Sequence, residues 1–251
     1  MNRDELRKYI GITGYSLGQV EKDYFQHMIL GALSRKLSEM LVFKGGTALQ
    51  KLGITPRFSE DLDFTTKSEI KIQKLQEIVI SVIQNYNYLA DLDNFINNER
   101  SIGFRIKIQG PLYRDRRSIC TVRIEASKRE RVILEPVKTE FTPPYTDILP
   151  YIINIMQKDE ILAEKIRAIY TRQKARDLFD IYKIIATSGS FDIDLANEKL
   201  KYYHLKFDSN TFIENCERLK PNWERELQSL MENIIPYKKV LTTIKDLFLK
   251  G

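Results

Sequence analysis

The sequence predicts an α+β fold, with an α/β half over residues 1–148 and a helical half over residues 149–251. Three observations predict it. Phe104–Ile108 and Ile119–Ser127 alternate apolar and polar residues with the period of two that a half-buried strand requires. From Gln157 onward the apolar residues recur at helical spacing. Between these regions, Phe141–Pro150 holds three prolines, which break either periodicity and mark the domain boundary.

The elements follow in order. Ser16 is placed to cap a helix over Gln19–Leu37, whose stripe is Tyr24, Phe25, Met28, Ile29 and Ala32. Met40–Phe43 reads as a short strand running into the Gly45-Gly46 turn. Thr47–Leu52 reads as a short helix stopped near Gly53 and Pro56. A strand follows at Asp61–Thr65, then an amphipathic helix from Ser68 to about Tyr86. In the two alternating strands, Phe104, Ile106 and Ile108 share a face, as do Cys120, Val122, Ile124 and Ala126. Thr121, Arg123, Glu125 and Ser127 point the other way. The polar Tyr113–Arg117 stretch reads as the turn between them, and Arg131–Val137 as a further strand. Helices are expected near 158–173, 175–187, 192–204, 209–219, 222–233 and 236–249.

Composition narrows the class. The chain of 251 residues is 43% hydrophobic and 29% charged, as expected of a protein with a sizeable core. No run reaches the roughly 18–20 apolar residues that cross a bilayer. The N-terminus lacks the apolar stretch of a secretory signal, and two cysteines make no disulfide framework, so a reducing, cytoplasmic setting is expected. A net charge of +6 favours a polyanionic partner.

The chemistry concentrates at Lys44-Gly45-Gly46-Thr47-Ala48-Leu49, followed by Ser59-Glu60-Asp61-Leu62-Asp63-Phe64. On a strand, Asp61 and Asp63 point to one face, and two carboxylates side by side repel unless a cation lies between them. Oxygen ligands of this kind suit Mg²⁺ or Mn²⁺. A glycine turn offers bare N–H groups to phosphate oxygens. Either motif alone is also common as a plain turn or a solvated strand end. Their order places both at one end of one sheet. Two-metal phosphoryl transfer needs a third carboxylate on a neighbouring strand. Glu125 fits that role, and it equally fits a surface ion pair with Arg123 or Arg105.

The helical half carries a dense charge cluster, Glu164-Lys165-Ile166-Arg167 through Arg172, then Lys174-Ala175-Arg176-Asp177-Leu178-Phe179-Asp180. Lys165 and Arg172 share a helix face, where they can meet leaving phosphates. Asp177 and Asp180 share another. Clusters of this kind are equally the solvated, ion-paired face of a helix. His27 and His204 have no partner at metal spacing, and Trp223 reads as a core anchor.

These blocks, in this order and over roughly Val20 to the C-terminus, resemble the AbiEii/AbiGii nucleotidyltransferase toxin family of the polymerase-β-like superfamily. The resemblance implies a mixed-sheet nucleotidyltransferase domain followed by a helical domain contributing to the active-site cleft. It implies phosphate contacts at Gly45, Gly46 and Thr47, and metal ligands at Asp61 and Asp63. It also implies a triphosphate contact at Lys165 and an essential carboxylate at Asp177. Glu125 matches no sharp family motif and rests on the strand pattern. Members of the family are toxins of bacterial toxin–antitoxin and phage-defence systems, with a cognate antitoxin, and some relatives modify the 3′ end of tRNA. The expected reaction is metal-dependent transfer of a nucleoside monophosphate from a triphosphate to an acceptor hydroxyl, with RNA or tRNA as acceptor. The rival readings are a non-catalytic nucleic-acid- or protein-binding module on the same fold, or nucleotidylation of a protein or small molecule.

Overall fold

The computed structural model describes residues 1–188 and 191–250, and the chain divides into two compact units. The first comprises Met1–Thr47 and Glu60–Met156; the second comprises Ala48–Ser59 and the chain from Gln157 onward. The change of unit therefore falls after Met156 rather than after residue 148. The reason is a strand beyond the prolines, Tyr151–Ile155, which returns to the sheet.

In the first unit, α1 (Arg3–Arg7) and α2 (Ile10–Thr13) lead into α3 (Leu17–Leu37). The Ser16 N–H donates to Gln19 Oε1 at 3.0 Å, the side-chain arm of a capping box that fixes where α3 starts. Then come β1 (Leu41–Lys44), α4 (Gly45–Lys51), β2 (Leu62–Thr66) and α5 (Ile72–Asn85). The chain passes to the second unit within α4. The remaining strands are β3 (Leu89–Asn97), β4 (Ser101–Gln109), β5 (Cys120–Ser127), β6 (Val137–Phe141) and β7 (Tyr151–Ile155).

The seven strands form one mixed sheet in the order β3-β4-β5-β2-β1-β7-β6. β2 runs parallel to β5, and β1 parallel to β7; the other neighbours are antiparallel. Helices α3 and α5 pack on each other and on the sheet. The predicted apolar faces are buried: Phe104, Ile106, Ile108, Val122, Ile124 and Ala126 are all at most 1% exposed. Leu62 and Phe64 are opposite Ile124 and Ala126 in register, which locks β2 with its carboxylates on the other face.

The strand expected at Arg131–Val137 begins instead at Val137. Pro136 lacks an N–H to donate to the ladder, so pairing starts after it, with Val137 opposite Ile155. The edge strand β3 was not expected, because its Asp- and Asn-rich sequence blurs the alternation.

The second unit is helical: α6 (Lys158–Thr171), α7 (Ala175–Ser188), α8 (Ile193–Lys201), α9 (Ser209–Glu217), α10 (Trp223–Leu227) and α11 (Tyr237–Lys250). Phe207, Phe212 and Phe248 stack together in its core. Trp223 is 2% exposed and lies between Phe179 and Tyr237, with its indole N–H donating to the Ile235 carbonyl at 2.9 Å. Both cysteines are buried and unpaired. Among the described residues, no helix is long and apolar enough to cross a membrane.

Candidate functional site

Strand register assembles the residues of the first unit. Lys44 lies opposite Asp63 on β1 and β2, and Asp63 lies opposite Glu125 on β2 and β5. Residues paired across a ladder share a face, so Lys44, Asp63 and Glu125 form a row across three strands. This row lies on the face away from the buried apolar residues.

Gly45 immediately follows Lys44 and joins this row. Its φ of +77° lies in the left-handed region that side chains disfavour. A Cβ at this position would stand 2.7 Å from Asp63 Oδ2. Two independent constraints therefore demand glycine, and the second brings the backbone of the turn directly against the carboxylate. The first amides of α4, at Gly45, Gly46 and Thr47, have no intrahelical acceptor, as at any helix start. Thr47 is fully buried and its hydroxyl donates to the Asp61 carbonyl, tying the turn to the start of β2. Asp61 itself sits one residue before the strand, since pairing begins at Leu62.

Glu125 is ion-paired with Arg123 on its own strand, one of the two arrangements its position allowed. Asp61, Asp63 and Glu125 supply only oxygen, the donor chemistry of Mg²⁺ or Mn²⁺. Among the described residues, however, no three acidic, histidine or cysteine side chains stand together at metal-binding spacing. The structure thus brings Asp63 next to the glycine turn and next to Glu125 in register, while Glu125 is engaged with a cation of the protein.

The centre of the charge cluster in the second unit, Lys165, Asp177 and Asp180, is buried, while Arg172 is about half exposed. Lys165, on α6, is 7% exposed and donates to Asp177 Oδ1 at 2.8 Å, with Asp180 Oδ2 at 2.7 Å. Arg172, the residue that ends α6, grips Asp177 with two donors at 2.9 and 3.1 Å. Arg57 grips Asp180 with two donors at 2.7 and 2.6 Å. Asp177 and Asp180 are three apart on α7 and both reach zero exposure. Burial opposes the charge on Asp177, yet Lys165 and Arg172 hold its carboxyl far below the usual range. Burial likewise opposes Asp180, and Arg57 and Lys165 hold it down. The result is a five-residue chain, Arg57–Asp180–Lys165–Asp177–Arg172. The partner of Arg57 lies far off in sequence, 123 residues away, and nothing in the local sequence announces that contact.

The comparisons with known proteins bear on the family and the fold. The model of the AbiEii nucleotidyl transferase toxins, described as a type IV toxin–antitoxin system, matches residues 29–243. The chain belongs to the AbiEii nucleotidyltransferase toxin family. Among solved structures, JHP933 of Helicobacter pylori superposes with a TM-score of 0.61 at 21% identity, over 94% of this chain and 93% of that one. A second H. pylori structure, described as a candidate nucleotidyltransferase, gives a TM-score of 0.62 at 21% identity, over 94% and 96% of the two chains. At this identity the likeness establishes the fold alone. No curated protein matches the chain.

Proposed function

We propose that this AbiEii-family chain transfers a nucleoside monophosphate from a nucleoside triphosphate to an acceptor hydroxyl, with release of pyrophosphate, and that the acceptor is RNA, tRNA in particular. The observation that supports the reading is the packing of Gly45 against Asp63, which brings the amides of the glycine turn beside a carboxylate. Asp61 and Asp63 would hold Mg²⁺ or Mn²⁺, which would neutralise triphosphate charge and lower the pKa of the attacking hydroxyl. The amides of Gly45, Gly46 and Thr47 donate to the phosphates. Glu125 is the carboxylate of the neighbouring strand from which a third ligand would come, and its present partner is Arg123. The ion-pair geometry favours a reading in which Lys165, Arg172 and Asp177 support activity by fixing α6 against α7. Direct contact of Lys165 or Arg172 with the triphosphate is the competing assignment. A toxin of this family implies a cognate antitoxin as partner and the cytoplasm as its place of action, in phage defence or in growth control.

The Arg123–Glu125 pair and the lack of a three-carboxylate cluster favour one second reading, a non-catalytic binding module on the same fold. Incubation of the purified protein with each labelled nucleoside triphosphate, total RNA and Mg²⁺ separates the two. Label in RNA that disappears with Asp63→Asn supports transfer. Label on protein instead moves the acceptor. No label from any nucleotide leaves the binding module.

A further inference from the structure

Beside the break in β3, the first unit carries a cavity of about 300 Å³, lined by Asn94, Phe95, Ile96, Phe104, Arg105 and Arg123. That volume is at the lower end for small-molecule sites, and the lining mixes apolar walls with a few charged groups, as such sites do. Three local features build it. β3 breaks register between Asp93 and Ile96, and Asn94 takes a φ of +51°, a left-handed conformation that an asparagine tolerates best among side chains. The break leaves Phe95 58% exposed, an aromatic ring on the surface rather than in the core. Across β4 and β5, Arg105 and Arg123 stand directly opposite each other. Like charges in that relation repel, and an anion between them relieves the repulsion. Arg123 is two residues from Glu125 on the same strand face, so the cavity lies roughly 7 Å along β5 from the Glu125–Asp63 row.

We propose that this cavity seats a nucleotide of a single-stranded RNA acceptor, its base stacked on Phe95 and its phosphate between Arg105 and Arg123. The inference rests on the transfer reading above and specifies the acceptor as unpaired at its end. An aromatic face beside a cationic strand is the combination that binds single strands without base-specific readout. A duplex end keeps its bases stacked within the helix and cannot offer one to Phe95. The Arg123–Glu125 contact adds a consequence: a phosphate that engages Arg123 competes with Glu125 for the guanidinium.

The test measures binding of the full chain to a short fluorescent oligoribonucleotide by anisotropy, without triphosphate or Mg²⁺, so that it does not depend on catalysis. Phe95→Ala is expected to weaken single-strand binding about tenfold, and Phe95→Tyr to restore it. Arg105→Gln is expected to weaken binding and to lower the salt slope by about 0.7, one phosphate contact on a single strand. The matching duplex should bind wild type and Phe95→Ala alike. Phe95 is exposed, so melting temperatures should not change, and a variant that melts as wild type is the one scored. Phe95→Ala binding single strands as wild type, or losing duplex affinity equally, overturns the proposal. Asp63→Asn separates this inference from the transfer reading, because it should abolish transfer and leave oligonucleotide binding intact. Phe95-dependent binding without any transfer would sink the transfer reading and keep the site.

Discussion

Replacing Lys165 with methionine tests the buried cluster most directly. The substitution keeps the length of the side chain and removes one charge that is paired with two carboxylates at 2.8 and 2.7 Å. Breaking a buried ion pair costs about 3–5 kcal/mol, because the remaining charge stays desolvated. Here each aspartate keeps a two-donor arginine, Asp177 with Arg172 and Asp180 with Arg57, so the lower end applies, about 3 kcal/mol. For a chain of this size that corresponds to a fall in melting temperature of about 6–12 °C. Trp223, the single tryptophan, packs on Phe179 of α7, so its emission reports unfolding of the second unit. Acid should shrink the effect. Asp177 and Asp180 have folded pKa values below their unfolded ones. They therefore contribute stability above the unfolded value of about 3.9, and it is lost as pH falls through the lower folded values. Lys165→Met raises those folded values toward the unfolded one, so less of its stability depends on pH, and its melting temperature should approach that of wild type as pH falls. If Lys165→Met loses transfer while melting within about 1 °C of wild type, the cluster argument fails and Lys165 acts on the triphosphate.

Gly45→Ala should cost about 1–2 kcal/mol for its left-handed backbone, more if Asp63 cannot yield. Transfer should fall with it, as read by urea titration and by label incorporation. Asp61→Asn and Asp63→Asn should each reduce transfer at least about a hundredfold while the chain still melts cooperatively. Near-normal transfer by either variant would falsify the metal assignment. Arg114, Arg116 and Arg117 are exposed in the loop between β4 and β5. Replacing all three with alanine should lower RNA affinity and flatten its salt dependence while triphosphate protection in a thermal melt persists. Unchanged RNA affinity would make this loop a solvated rim.

Much of the fold was legible because it depends on local periodicity. β4 and β5 each bury a clean stripe, and they, α3, α6, α7, α8, α9 and α11 lie within a few residues of their expected bounds, whereas α3 is buried on nearly every face and α10 ends at Leu227 rather than near residue 233. The missed strands share a cause: each is defined by its neighbours rather than by its own pattern. β7 is a short apolar run that becomes a strand because β1 and β6 flank it. β3 has an irregular pattern because its exposed edge and its break need no alternation. Within the candidate site, the glycine turn and Asp61–Asp63 were legible as motifs. Only register could show that Glu125 faces Asp63, and only three-dimensional packing that Gly45 leaves no room for a Cβ beside the carboxylate.

The charge cluster shows where such reading goes astray and how it can be corrected. Charge density on α6 suggested a solvated face, yet Glu160, Glu164 and Lys165 are all buried, the glutamates around Lys199 and the lysine between aspartates. The sequence does hold a signal. Ile161, Lys165, Ala168 and Ile169 fall at i, i+4, i+7 and i+8, so Lys165 occupies the apolar stripe rather than the polar flank. Asp177 and Asp180 enter the stripe of Ile181 and Ile184 on α7 in the same way. A charge inside an apolar stripe must be neutralised or paired, because an isolated buried charge costs more than a side chain's burial returns. A cation in one stripe and acids in the stripe of the next helix therefore predict each other as partners before any coordinates exist. The same logic limits what alanine scanning of Lys165 or Asp177 can prove. Each truncation breaks a link in the network that joins α6 to α7, so loss of activity follows from a disturbed helix pair as readily as from a lost substrate contact. The charge-neutral double variant Lys165→Met with Asp177→Asn removes that ambiguity. It should recover part of the stability lost by Lys165→Met, and only if transfer returns with it did the pair act through the fold.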